Sequence, residues 1–276
     1  MISLKRILII GFVVGAFSVP SEGKTPIGSI TQIIGNMLVR RDGDSSWIKG
    51  RIKLPVFEGD AVATAEESCC EIMLKGDRVA RFGEKTTAIV SDTAGSAAKV
   101  TAARGSVWIN VKHLANNGSL KVATPTAVAA IRGTVFEVEC GENSSNYLVF
   151  KGTVAVSSSA GKNRSSRDST FLVSAGEQFT LVKDIDRYLK DEENSIRKYL
   201  DDSGEELDKF NREEQEQFNR YDQELREQME AMLDEEKRSF RSLNDMNYAL
   251  RPIDMKRAAK NKWILWNQDR DKQLAW

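Results

Sequence analysis

Histidine is nearly missing from this 276-residue chain: His113 stands alone, beside three cysteines and five prolines. One histidine with no ligand spacing around it offers no zinc-type metal set and no Ser/His/Asp arrangement. No carboxylates are paired in a catalytic setting and no glycine loop is built to cradle phosphate, so neither enzymatic chemistry nor a cofactor is expected. Net charge is absent too, since 40 basic and 40 acidic residues cancel; that removes any bulk attraction to nucleic acid or an anionic membrane. Beyond residue 19 no apolar run approaches the roughly 20 residues that a membrane-spanning helix needs.

What is present begins at the N-terminus. Lys5-Arg6, the apolar run Ile7–Val19, and then Pro20, Ser21 and Gly23 have the three-part form of a secretory signal over residues 1–23. An uncleaved anchor is the alternative reading. No cysteine follows the run, so no lipid anchor is expected. The mature chain is read as exported, periplasmic or secreted, with no span left after cleavage. Export permits disulfides. Strand parity turns Cys70 and Cys140 inward, and either a Cys70–Cys140 bridge or two buried thiols fits that placement.

Residues 27–182 read as an all-β domain, a chain of short segments rich in Val, Ile, Thr and aromatics broken by Gly and polar turns. In Val135–Cys140, Phe136, Val138 and Cys140 alternate with Val135, Glu137 and Glu139, predicting one buried face and one with acids in water. Gly-Ser/Thr-Val/Ile recurs at Gly28, Gly105, Gly133 and Gly152, each time opening a strand. Such corners suit a twisted, solenoid-like roll or a sandwich. Asp60 and Asp77 sit in turn sequences, Phe57-Glu58-Gly59-Asp60 and Lys75-Gly76-Asp77-Arg78, where aspartate bonds local backbone. The loop Ser158–Ser169 is polar and basic.

Several of these pieces together resemble the FecR domain of bacteria, over Gly28 to about Ser157. They are Glu58-Gly59-Asp60-Ala61-Val62-Ala63-Thr64, Ile72-Met73-Leu74-Lys75-Gly76-Asp77, Gly105-Ser106-Val107, Ala123-Thr124-Pro125-Thr126-Ala127, Arg132-Gly133-Thr134-Val135-Phe136 and Lys151-Gly152-Thr153-Val154-Ala155-Val156. The resemblance implies an extracytoplasmic, non-enzymatic β-domain that binds proteins or envelope components. It departs from the iron-dicitrate regulator that gives the domain its name: only a few residues precede the apolar run, leaving no cytoplasmic segment to hold a sigma factor.

After residue 182 the pattern changes. Ile185, Ile196, Leu207, Phe218, Met229 and Phe240 recur every eleven residues, with Tyr188, Tyr199, Phe210, Tyr221, Met232 and Leu243 three positions later. Eleven residues over three turns is about 3.67 per turn. The expectation is therefore a long helical, coiled-coil region over 184–250, on the order of 100 Å in length at about 1.5 Å per residue. Its apolar stripe is narrow, which calls for a partner helix or for contact along the β-domain. Gly204 is the expected kink, and Pro252 the stop. The basic tail 251–276, with Trp263 and Trp266, reads as a membrane-surface or docking helix, or as one folding back on the acidic helix.

These elements predict an exported binding module for a protein or envelope component, with a helical stalk for spacing or self-association. The alternatives are a structural envelope protein in which the coiled coil is the working part, and a signal-transducing sensor.

Overall fold

The computed structural model describes residues 24–93, 97–111, 119–131, 133–158, 170–204, 212–243 and 246–274. The signal-like segment, His113, Arg132, most of the 158–169 loop, Leu207, Phe210 and Trp276 lie outside them, as do the side chains of Ile196, Tyr199, Phe218 and Leu243.

Among the described residues, eighteen strands form one hydrogen-bonded system. In chain order they are β1 Gly28–Ile34, β2 Met37–Arg40, β3 Ile48–Lys49, β4 Pro55–Val56, β5 Ala61–Thr64, β6 Cys69–Leu74, β7 Arg78–Phe82, β8 Thr87–Thr93 and β9 Ala97–Val111, followed by β10 Ser119–Ala123, β11 Ala127–Ile131, β12 Val135–Cys140, β13 Ser144–Lys151, β14 Thr153–Ser158, β15 Thr170–Ser174, β16 Glu177–Val182, β17 Arg241–Leu243 and β18 Met246–Pro252. They stack as two sheets. Sheet A runs β4-β1-β6-β7-β9-β12-β13-β16-β18-β17 and sheet B runs β3-β2-β5-β8-β9-β10-β11-β14-β15. Every ladder is antiparallel except β9 with β10. The architecture is therefore a progressive two-layer sandwich, not a solenoid of stacked parallel coils.

The recurring glycine corners are where the chain moves between layers or enters a strand. Strand β9 serves sheet B up to Arg104 and sheet A from Gly105. The bend falls at Gly105, whose φ of 92° an L side chain rarely adopts. Gly133 (φ 68°) leads from β11 in sheet B to β12 in sheet A, and Gly152 (φ 78°) from β13 back to β14. Between the layers lies one core in which Ile30, Ile72, Phe82, Val107, Phe136, Val138, Tyr147 and Phe179 are fully buried.

The expectation of an all-β domain followed by a long helical or coiled-coil region is overturned. Helix α1 (Ile185–Gly204) and helix α2 (Arg212–Ser239) are separate, and after α2 the chain returns to sheet A as β17 and β18. Strand β18 pairs with β16 over six residues from Glu177↔Pro252 to Val182↔Asn247. Its Tyr248 stacks into the core, with ring centroids 4.6 Å from Phe171 and 6.0 Å from Phe179. Helix α2 runs back along α1: Tyr188 meets Phe240 edge-on at 5.7 Å, and Lys237 lies 3.2 Å from Asp186. Part of the eleven-residue stripe lies where the two helices meet. Ile185, Tyr188 and Phe240 are half-buried and Met229 is buried, while Tyr221 (59% exposed) and Met232 (66%) are exposed. Gly204, the expected kink, is the last described residue of α1.

The Cys70–Cys140 bridge is also corrected, because all three cysteines are free. Cys70 and Cys140 do both face the core. They sit in the same sheet with β7 and β9 between their strands, a separation of about 14 Å at roughly 4.8 Å per strand. A disulfide needs Cα atoms within about 7 Å.

Two short helices finish the chain, α3 (Met255–Ala258) and α4 (Lys262–Gln273). Asp254 caps α3 and Asn261 caps α4, each side chain accepting from two backbone N–H groups of the first turn. Helix α4 lies on the outer face of sheet A, not back on the acidic helices.

Candidate functional site

The outer face of sheet A carries a row of side chains in direct cross-strand register: Glu71 on β6, Arg81 on β7, Trp108 on β9, Glu137 on β12 and Leu148 on β13. In sequence each is the outward member of an alternating strand, the position normally left to solvent. Here the row is covered. Glu71 and Arg81 are 0% exposed, Trp108 is fully buried and Glu137 is 5% exposed. The expectation that the Val135/Glu137/Glu139 face lies in water holds only for Glu139.

Helix α4 provides the cover with one face. Trp263, Ile264, Trp266, Asn267, Arg270 and Asp271 recur at helical spacing. Ile264 joins Trp108, Ile253 and Ala258 in a second apolar cluster, with Leu148, Phe150 and Trp263 packed on it. Trp108 stacks on Phe150 at 4.9 Å, and Trp263 stacks on Trp266 at 5.5 Å.

The charged groups are tied across this contact. Arg81 donates through Nε to Glu71 Oε2 at 2.8 Å, and its Nη1 stands 2.6 Å from Asp271 Oδ1. The same Nη1 donates to the backbone carbonyl of Asn267 at 3.2 Å, and the guanidinium lies 5.8 Å from the Trp266 ring centre. Asp271 also accepts from the Trp108 indole N–H at 3.2 Å. Glu71 accepts from Thr31 Oγ1 at 2.7 Å and from Arg270 at 3.1 and 3.2 Å. Burial pushes the Glu71 carboxyl up, but the bonds from Arg270, Thr31 and Arg81 outweigh it and hold the group below the usual carboxylate range.

Glu137 is in the opposite condition. Burial, reinforced by the neighbouring Glu139 and only partly opposed by Trp263, pushes its carboxyl up to about 8. The folded state thus keeps a proton that the unfolded chain releases near 4.5. Stability tied to that proton is complete below about pH 4.5 and drains away as pH rises toward 8. Glu137→Gln, the uncharged isostere, is expected to melt at a nearly unchanged temperature at pH 5 and at a higher one than the parent at pH 8.5. Thermal unfolding of both proteins across that range checks it, and parallel curves would contradict it.

The residues singled out from sequence occupy corners rather than this face. Gly59, Gly76, Gly105, Gly133 and Gly152 all adopt positive φ, as does Asp77. Asp60 is buried and holds its turn from within, accepting from the upstream Phe57 N–H at 2.9 Å and from Arg41. Pro125 lies in the β10–β11 hairpin, closed by Thr124 N–H to Ala127 O at 2.8 Å. Thr134 is buried and its carbonyl accepts from Val111 N–H at 3.0 Å, while Phe136 fills the core. The structure does not bring these residues together into a site. The sequence reading passed over Glu71, Arg81, Trp108, Asn267, Arg270 and Asp271. The signal that could have found them is a polar or bulky aromatic residue at the same outward parity in four adjacent strands.

At the bend of β9 a cleft of about 680 Å³ opens between Thr64, Lys85, Arg104, Glu139 and Cys140. Its charges are of both signs, and burial pushes the Cys140 thiol up to about 12, so that the thiol stays protonated. Among the described residues no group of three or more His, Cys, Asp or Glu side chains is placed to hold a metal.

The class is thus a two-layer antiparallel β-protein whose outer sheet face is roofed by a helix of its own chain. Residues 60–155 match the family described as FecR protein, and this stretch, running from the threshold of β5 into β14, is a FecR domain. No curated protein matches the sequence. Two crystal structures of a candidate anti-sigma factor from Parabacteroides distasonis ATCC 8503 are similar, each at 16% identity and a TM-score of 0.38, covering 44% of this chain and 54% of that one. The likeness spans about half the length of that protein.

Proposed function

We propose that the protein is an exported, non-enzymatic FecR-type module that binds a protein or another component of the bacterial envelope. The observation that carries this reading is the FecR match at 60–155, laid over a continuous two-layer sheet. The signal-like first 23 residues support export, and no described helix is long and apolar enough to cross a membrane. The helix pair α1–α2 would set the distance between the β-body and its surroundings. Fractionation of cells producing the full chain, with N-terminal sequencing of the product and crosslinking in intact cells, tests the reading. The expected product is periplasmic or secreted, starts near Lys24 and forms a discrete crosslinked adduct. A chain kept in the cytoplasm overturns the reading, and one held uncleaved in the membrane favours a signal-transducing sensor.

A second reading makes the helices the working part of a structural envelope protein that joins copies of the chain. It is favoured by the exposure of Tyr221 and Met232, both on α2. Light scattering on the full chain separates the two, because a monomer removes the second.

A further inference from the structure

The sheet face beneath α4 and the helix itself have different origins in the chain. Glu71, Arg81, Trp108, Glu137 and Leu148 all fall inside the FecR match, whereas α4 starts at Lys262, far beyond its last residue, 155. On a bare sheet this row would be solvated; it is buried because a helix lies across it. The seat is shaped for a ring. A Cβ added to Gly83, just after β7, would stand 3.2 Å from Ser106 Cβ and 3.4 and 3.5 Å from two atoms of the Trp263 indole, so a longer side chain there would press on the ring. The contact is also incompletely satisfied. Arg81 Nη2 is buried without a hydrogen-bond partner, a condition that disfavours the docked state.

We infer that the outer face of sheet A is a helix-binding groove, held shut in cis by α4. The partner it fits is an amphipathic helix that places an aromatic ring over Gly83 and carboxylates over Arg81. This is helix-in-groove recognition, with the chain's own C-terminal helix as competitor. The inference rests on the binding-module reading and names the surface which that reading would use.

The test uses the full chain with a specific protease site inserted between Ala259 and Lys260, folded first and then cut, so that residues 260–276 stay on by contact alone. The probe is a fluorescein-labelled peptide of residues 260–276. After gel filtration the cut body is expected to keep its β-sheet circular dichroism and a cooperative melt, and to take up the peptide saturably by anisotropy. Uncut protein is expected to take up none. Asp271→Ala in the peptide should weaken uptake by about tenfold or more, because it leaves Arg81 buried and unpaired. The groove is overturned if the cut body loses its β signal when the segment leaves, if the segment never leaves on dilution, or if uncut protein binds equally well. Any of these results removes the groove while leaving the envelope-binding reading to the export and crosslinking test.

Discussion

Arg81→Ala is expected to destabilise the protein by about 3–5 kcal/mol, the cost of stranding buried charges, and to lower its melting temperature by on the order of 10 °C. Arg81 sits between Glu71 at 2.8 Å and Asp271 at 2.6 Å, and its side chain is 0% exposed. Removing it leaves Asp271 with only the Trp108 indole N–H and Glu71 with Arg270 and Thr31. The intact pairs need not be strong net contributors, since desolvation offsets much of their attraction. What matters is the asymmetry: making the pair gains little, and breaking it costs a great deal. Arg81→Lys should fall in between, because an ammonium keeps the charge but cannot bridge Glu71 and Asp271 with a rigid fork. Thermal unfolding of the three proteins in one buffer checks the order. If Arg81→Ala melted with the parent, the buried network would have no energetic role.

Gly105→Val should be as damaging for a different reason. The residue holds φ at 92° where β9 passes from one layer to the other. A non-glycine residue in so sparsely populated a conformation costs about 1–3 kcal/mol. A Cβ there would also lie 2.5 Å from Thr86 Cα and closer still to Thr86 Oγ1, an overpacking worth about another 1–3 kcal/mol. The Thr86 hydroxyl cannot simply swing away, because it donates to the Ser106 carbonyl at 3.1 Å and accepts from the Ser106 N–H at 3.0 Å. Gly141→Ala is the control, since nothing lies within 4 Å of a Cβ at that position. Denaturant unfolding should show a large loss for the first variant and almost none for the second.

Most of the β-architecture was legible because local pattern and tertiary position agree there. Phe136, Val138 and Cys140 alternate in sequence and are buried together, and of the recurring glycine corners Gly105, Gly133 and Gly152 adopt positive φ, while Gly28 does not. Alternation divides a strand into two faces but does not say which one is wet. Glu137 looked like a solvent residue because its cover, Trp263, lies more than a hundred positions away in sequence. The eleven-residue period gave helices correctly and their number wrongly. A repeat fixes the phase of a stripe, and it is silent on whether the partner is another chain or the same chain folded back beyond Gly204. It also ran on through Leu243 toward Leu250, where pairing with β16 overrides helical phase. Strands of two residues, such as β3 and β4, and the alanine-rich β11 carry too little local pattern to stand out from loops.

The central claim is that the C-terminal segment belongs to the folded body, with α4 docked on sheet A. Hydrogen exchange of the full chain, followed by mass spectrometry on peptides covering 262–273, tests it most directly. Docking predicts slow exchange in those amides, lost selectively in Arg81→Ala while β5–β14 stay protected. Exchange of the 262–273 amides at the rate of an unfolded peptide in the parent protein would contradict it.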